Sequence, residues 1–82
     1  MTPHLFLKLL DDVVFRVLSD NQEVIEEWLD NIPGSWGKLA GQAIILSKDR
    51  VGRNLFESER RMAWNHLWNN LQKLKIDRKI NI

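Results

Sequence analysis

From Leu5 to Leu18 ten of fourteen residues are apolar, and this greasy segment constrains the chain more than any other feature. Leu5, Phe6, Leu9, Leu10, Val13, Val17 and Leu18 recur at helical spacings, while Leu7, Val14 and Phe15 widen the stripe. The run Val13-Val14-Phe15 also suits a strand. The length of about four turns and the paired charges Asp11-Asp12 favour a helix. Thr2 is placed to cap it and Pro3 suits its first position. A helix apolar on most of its circumference must lie centrally in a core or under a partner. Lys8, Asp11, Asp12 and Arg16 interrupt the segment, which also falls short of the ~18–20 apolar residues of a membrane span. It has neither a basic leader nor a small-residue cleavage site, so a signal peptide is not expected.

Three further helices are expected. Val24, Ile25, Trp28, Leu29 and Ile32 share one face of a short helix whose other side carries Glu23, Glu26, Glu27 and Asp30. Asp20 and Glu23 have capping-box spacing before it, and Pro33-Gly34 ends it. Ser35 is placed to cap a third helix bearing Trp36, Leu39, Ala40, Ala43, Ile44 and Leu46. Gly37 and Gly41 stand one turn apart in it and cost roughly 1 kcal/mol each against Ala, a cost that close approach by a neighbouring helix would offset. Lys48 through Asn54 reads as a basic loop. A last helix starts between Asn54 and Ser58 and runs to about Lys75, with Trp64, Leu67, Trp68, Leu71 and Leu74 as its apolar stripe. The tail 76–82 is expected to fray or to pair as a short strand.

The chain thus reads as a single all-α domain spanning 1–82, a compact bundle of about four short helices. At 82 residues, 44 % hydrophobic and 28 % charged, it is too apolar for a disordered chain but buries only about 60–65 % of its unfolded surface. Leu9, Val13, Leu29, Leu39, Ile44, Leu67 and Leu71 are the expected core, joined by the four Trp. The absence of Cys excludes disulfides, thiolate metal sites and Cys nucleophiles, and a cytoplasmic setting fits it.

Little in the sequence carries catalysis. His4 and His66 are the only histidines, and the positions four residues either side of His66 are Met62 and Asn70, so no helical neighbour is a carboxylate. Ser19, Ser35, Ser47 and Ser58 sit where turns or helix starts are expected, which capping explains. The adjacent pairs Asp11-Asp12 and Glu26-Glu27 diverge by about 100° on a helix and do not converge on a metal. No P-loop, dinucleotide fingerprint or EF-hand loop is present. No enzyme activity, catalytic residue, metal, cofactor or small-molecule substrate is expected.

Binding is the remaining class. Residues 1–40 hold three basic and seven acidic side chains, whereas residues 41–82 hold nine basic and four acidic. Lys48, Arg50, Arg53, Arg60 and Arg61 place five cations within fourteen residues, which suits a nucleic-acid backbone read without sequence specificity. Pairing with the acidic second helix is the leading account of them, ahead of nucleic acid, and an acidic protein surface comes third. Helix-turn-helix reading through Asn65, His66 and Asn69 is a minor option, since the loop before that helix is long. The breadth of the first stripe predicts an exposed protein-binding patch around Phe6, Leu7, Leu10, Val14 and Phe15.

The general build resembles small helical subunits of nucleoprotein assemblies and, equally, small helical inhibitors or adaptors. It implies fold class alone. The expected function is a non-enzymatic subunit docking onto a larger protein or onto itself, with a basic segment that touches nucleic acid. The alternative is a protein-only adaptor or inhibitor acting through Glu23–Asp30.

Overall fold

The sequence stripes resolve into four helices in a computed structural model, which describes residues 2–80 and the side chains of residues 2–77: α1 (Pro3–Asp20), α2 (Gln22–Leu29), α3 (Ser35–Val51) and α4 (Glu57–Ile80). The molecule is an all-α bundle. At about 1.5 Å per residue the 24 residues of α4 span about 36 Å, so this helix sets the long dimension of a body measuring 42 × 22 × 19 Å. α3 touches each of the other three helices, and α1 packs on α2, α3 and α4.

Thr2 caps α1 through its hydroxyl, which accepts the Leu5 N–H at 3.3 Å, and Pro3 opens the helix. α4 starts at Glu57, inside the expected interval from Asn54 to Ser58, whereas other boundaries depart from the sequence expectation in instructive ways. Asp20 is the last residue of α1 and caps nothing. Asn21 is the hinge instead: its N–H and its side-chain amide both donate to Val17 O, and its own carbonyl accepts from the Ile25 N–H. α2 stops before Pro33-Gly34 is reached. Asn31 adopts a left-handed φ of 61°, its N–H donates to Trp28 O and the Ile32 N–H donates to Glu27 O, the two bonds of a Schellman cap. Ser35 is the first residue of α3 rather than its cap. It is buried, and its hydroxyl donates back to Ile32 O at 2.8 Å.

α3 also runs through most of the segment expected to be a loop. Lys48, Asp49, Arg50 and Val51 are helical, and Gly52, at φ 79°, closes the helix by donating to Lys48 O. Placing Lys48 and Arg50 in the last turn favours them, because cations there complement the helix dipole. α4 continues past Lys75 to Ile80, so the backbone of residues 76–80 is neither frayed nor strand. Residues 81–82 lie outside the described residues.

The core has two parts. Val13, Val14, Val17, Ile25, Leu39, Ala43, Leu67 and Leu71 form the larger, and Phe6, Leu10, Leu55 and Ala63 form the smaller. Val13, Leu39, Leu67 and Leu71 are buried as expected, whereas Leu9, Leu29 and Ile44 are half-buried. Three of the five residues expected at an exposed patch are core. Phe6 and Val14 are 2 % exposed and Leu10 is fully covered, because α3 and α4 both pack on α1 and Leu55 closes over its first turns. Only Leu7 and Phe15 remain outside.

The tryptophans also depart from expectation. None is fully buried. Trp28 and Trp36 are half-buried, Trp64 and Trp68 are exposed, and both of the former meet Trp68 edge-on, at centroid distances of 5.8 and 5.2 Å. No described helix is long and apolar enough to cross a membrane.

Candidate functional site

The five cations from Lys48 to Arg61 do not form one free basic patch. Arg50, on the last turn of α3, pairs with Asp12 of α1. Arg53 meets Glu59 through two parallel hydrogen bonds of 2.9 Å, donates to Asn54 O at 2.8 Å and lies 4.4 Å from the centre of the Phe56 ring. Arg61 pairs with Glu57 one turn earlier, both largely exposed, a contact of small energetic weight. The acidic face of α2 takes no part in these pairs. Its Glu27 faces Lys38 of α3 at 3.6 Å.

Glu59 has a second role. It is the third residue of α4, and its carboxylate accepts the Phe56 N–H at 2.8 Å, which is the return half of a capping box. The Arg53 guanidinium and this backbone N–H hold its carboxyl down at about 2, against an ordinary 4.5. The same pairing raises Arg53 further. Arg53 and Glu59 are therefore the clasp of the α3–α4 connection.

Lys48 and Arg60 are the cluster members without an ion-pair partner among the described residues. They lie together. Both line an open groove between α3 and α4 whose floor is Gly37, Ala40, Gly41 and Ile44 and whose sides carry Trp36, Ile45 and Trp64. Ile45 is 60 % exposed and Trp64 42 %. The expected close approach to the glycines does not occur: a Cβ placed on Gly37 or Gly41 meets nothing within 4 Å. Leu39, Ala43 and Ser47 face the core from other sides of α3, so the glycines are turned to the open side.

A second groove lies at the α1–α2 corner, where Phe15, Ile25, Leu29 and Leu74 provide an apolar lining beside Glu26 and Asp77. Phe15, at 70 % exposed, is the most exposed of the large apolar side chains among the described residues.

His66 Nε2 lies 2.6 Å from Asp11 Oδ1, a pairing across 55 positions that no local pattern announces. It joins α4 to α1, and no described hydroxyl is hydrogen-bonded to the imidazole. Among the described residues no group of three or more His, Asp or Glu is placed to hold a metal ion. Sequence reasoning found Lys48 and Arg60 but missed the groove they flank. The signal was present in the unexplained glycine pair. Comparison with known protein families, with curated proteins and with solved structures finds no match.

Proposed function

We propose that the chain is a non-enzymatic helical module that docks onto a larger protein through the open α3–α4 groove. The observation that carries this reading is the combination of Ile45 and Trp64, large and exposed, with two helical glycines that no described residue covers. Exposed apolar surface of this kind, with Trp at its edge, is typical of association sites. Nucleic-acid backbone binding is the weaker reading, because Arg50, Arg53 and Arg61 are engaged within the chain and two free cations supply little counterion release. An adaptor acting through the acidic half draws support from Phe15 and the groove around it, and stands second.

A photo-reactive phenylalanine analogue at Ile45, compared with the same group at exposed Lys8, tests the reading in cells. The expected result is a protein adduct at position 45 that is absent at position 8 and disappears when Gly41→Leu fills the groove. Equal labelling at both positions, or adducts with nucleic acid only, contradicts it.

A further inference from the structure

We infer that the occupant of the α3–α4 groove is an amphipathic helix of a partner protein with an apolar, small-featured face and carboxylates clustered at one end. The inference rests on the docking reading above and adds the chemistry of the partner.

Charge complementarity points to the carboxylates. Lys48 and Arg60 stand at the same end of the groove, one on each wall, and neither has an ion-pair partner among the described residues. Every other cation of the cluster is paired. Among the described residues the groove lining carries no other cation, and Lys38 near the start of α3 is engaged by Glu27 outside it, so the free positive charge of the groove is that of Lys48 and Arg60. An occupant with acids over Lys48 and Arg60 is favoured there, and one with basic residues at that end is repelled.

The floor points to a helix. Gly37 and Gly41 lie one turn apart on α3 beside the buried Ala40 and leave room above their backbone, so a second helix can approach more closely than it can over larger side chains. Trp36 and Trp64 rise beside this floor and offer broad, rigid apolar contacts. From Gly37 to Lys48 the face runs about 16 Å, the length of about three helical turns. A partner segment of that length reads as apolar residues at i, i+3, i+4 and i+7 with Asp or Glu at one terminus.

A displayed library of helical peptides of about sixteen residues, selected against the whole chain, supplies the probe. The expected peptides carry an apolar stripe and at least two acidic residues within one terminal turn. A synthetic copy of the best peptide is expected to bind at least tenfold more weakly to the Lys48→Glu, Arg60→Glu double variant, and not measurably to Gly41→Leu. Lys73→Glu, a charge reversal outside the groove, should leave affinity unchanged. Circular dichroism on each variant separates lost binding from lost fold. Peptides without acidic bias that bind the charge-reversed variant equally well overturn the inference while leaving the docking reading in place. Peptides indifferent to Gly41→Leu, or a library that yields no binder, also overturn it. The docking reading is judged separately, by crosslinking at position 45.

Discussion

Asp11 and Asp12 are neighbours in the chain that serve different sides of α1. Asp11 reaches His66 on α4, and Asp12 reaches Arg50 on α3. The turn of about 100° between successive helical residues makes this divergence possible. One acidic pair thus fastens the first helix to the two that cover it. The fastening is electrostatic and largely solvated, so its contribution is small beside that of the core.

That difference in scale is testable. Asp12→Ala is expected to cost about 0–1 kcal/mol, the range of exposed ion pairs. Leu67→Ala or Leu71→Ala, each removing a fully buried side chain, is expected to cost about 2–5 kcal/mol. The half-buried Leu9, Leu29 and Ile44 should fall between these limits. Urea denaturation of the series measures the order directly, and an Asp12 variant as damaging as a core one would contradict it.

Ser47 is completely buried, and its hydroxyl has no hydrogen-bond partner among the described residues. An unsatisfied buried polar group costs about 1–3 kcal/mol. Ser47→Ala is therefore expected to stabilise the fold by about 1 kcal/mol, read as a higher denaturation midpoint. A loss of stability on removing this hydroxyl would show that it is satisfied in solution.

The Arg53–Glu59 clasp gives the fold an acid-sensitive element. Glu59 titrates lower in the folded chain than in the unfolded one, so its stabilisation is complete above the ordinary carboxyl value of about 4.5 and is lost as pH falls towards about 2. Glu59→Gln should be less stable than the parent at pH 6, and the gap should narrow across that window. Denaturant midpoints at pH 6, 4, 3 and 2 for both chains measure this. A gap that stays constant down to pH 2 would show that the carboxylate charge is not what holds the turn.

Nucleic-acid affinity provides a fourth test. Four phosphate contacts by the arginines would give a slope of log affinity against log salt of about −3.6, whereas two free cations give about −1.8 at most. Weak binding with a slope no steeper than the second value is expected for duplex oligonucleotides. A slope near the first would mean that Arg50, Arg53 or Arg61 exchanges its internal partner for phosphate.

Much of the fold was legible because helical periodicity is local. The stripes of α1 and α4 and the Thr2-Pro3 start depend on residues a few positions apart. Which side of α1 is covered is a different matter: Phe6, Leu10 and Val14 are indistinguishable in pattern from Leu7 and Phe15 until α3, α4 and Leu55 are placed around them. Helix ends were hidden for a similar reason. The stop at Asn31 depends on a left-handed residue outside the obvious Pro33-Gly34 signal, and the extension of α3 to Val51 on the strength of Gly52 as its cap. The site was legible in its charges but not in its pairings, since Arg50–Asp12 and His66–Asp11 span 38 and 55 positions. The glycine pair suggested a close approach by a neighbouring helix, and the open space above both glycines contradicts it. Helical spacing alone could not convey that these positions stay uncovered among the described residues.

Those glycines also supply the most direct measurement. Gly41→Leu adds a side chain to an open helical position, so it is expected to stabilise the fold by up to about 1 kcal/mol, which raises Tm by about 4–8 °C in a domain of this size. The same substitution fills the groove. Measuring Tm and the affinity of a selected groove peptide on one preparation of this variant separates folding from docking. The account predicts a higher Tm together with loss of binding; unchanged affinity in the stabilised chain would contradict it.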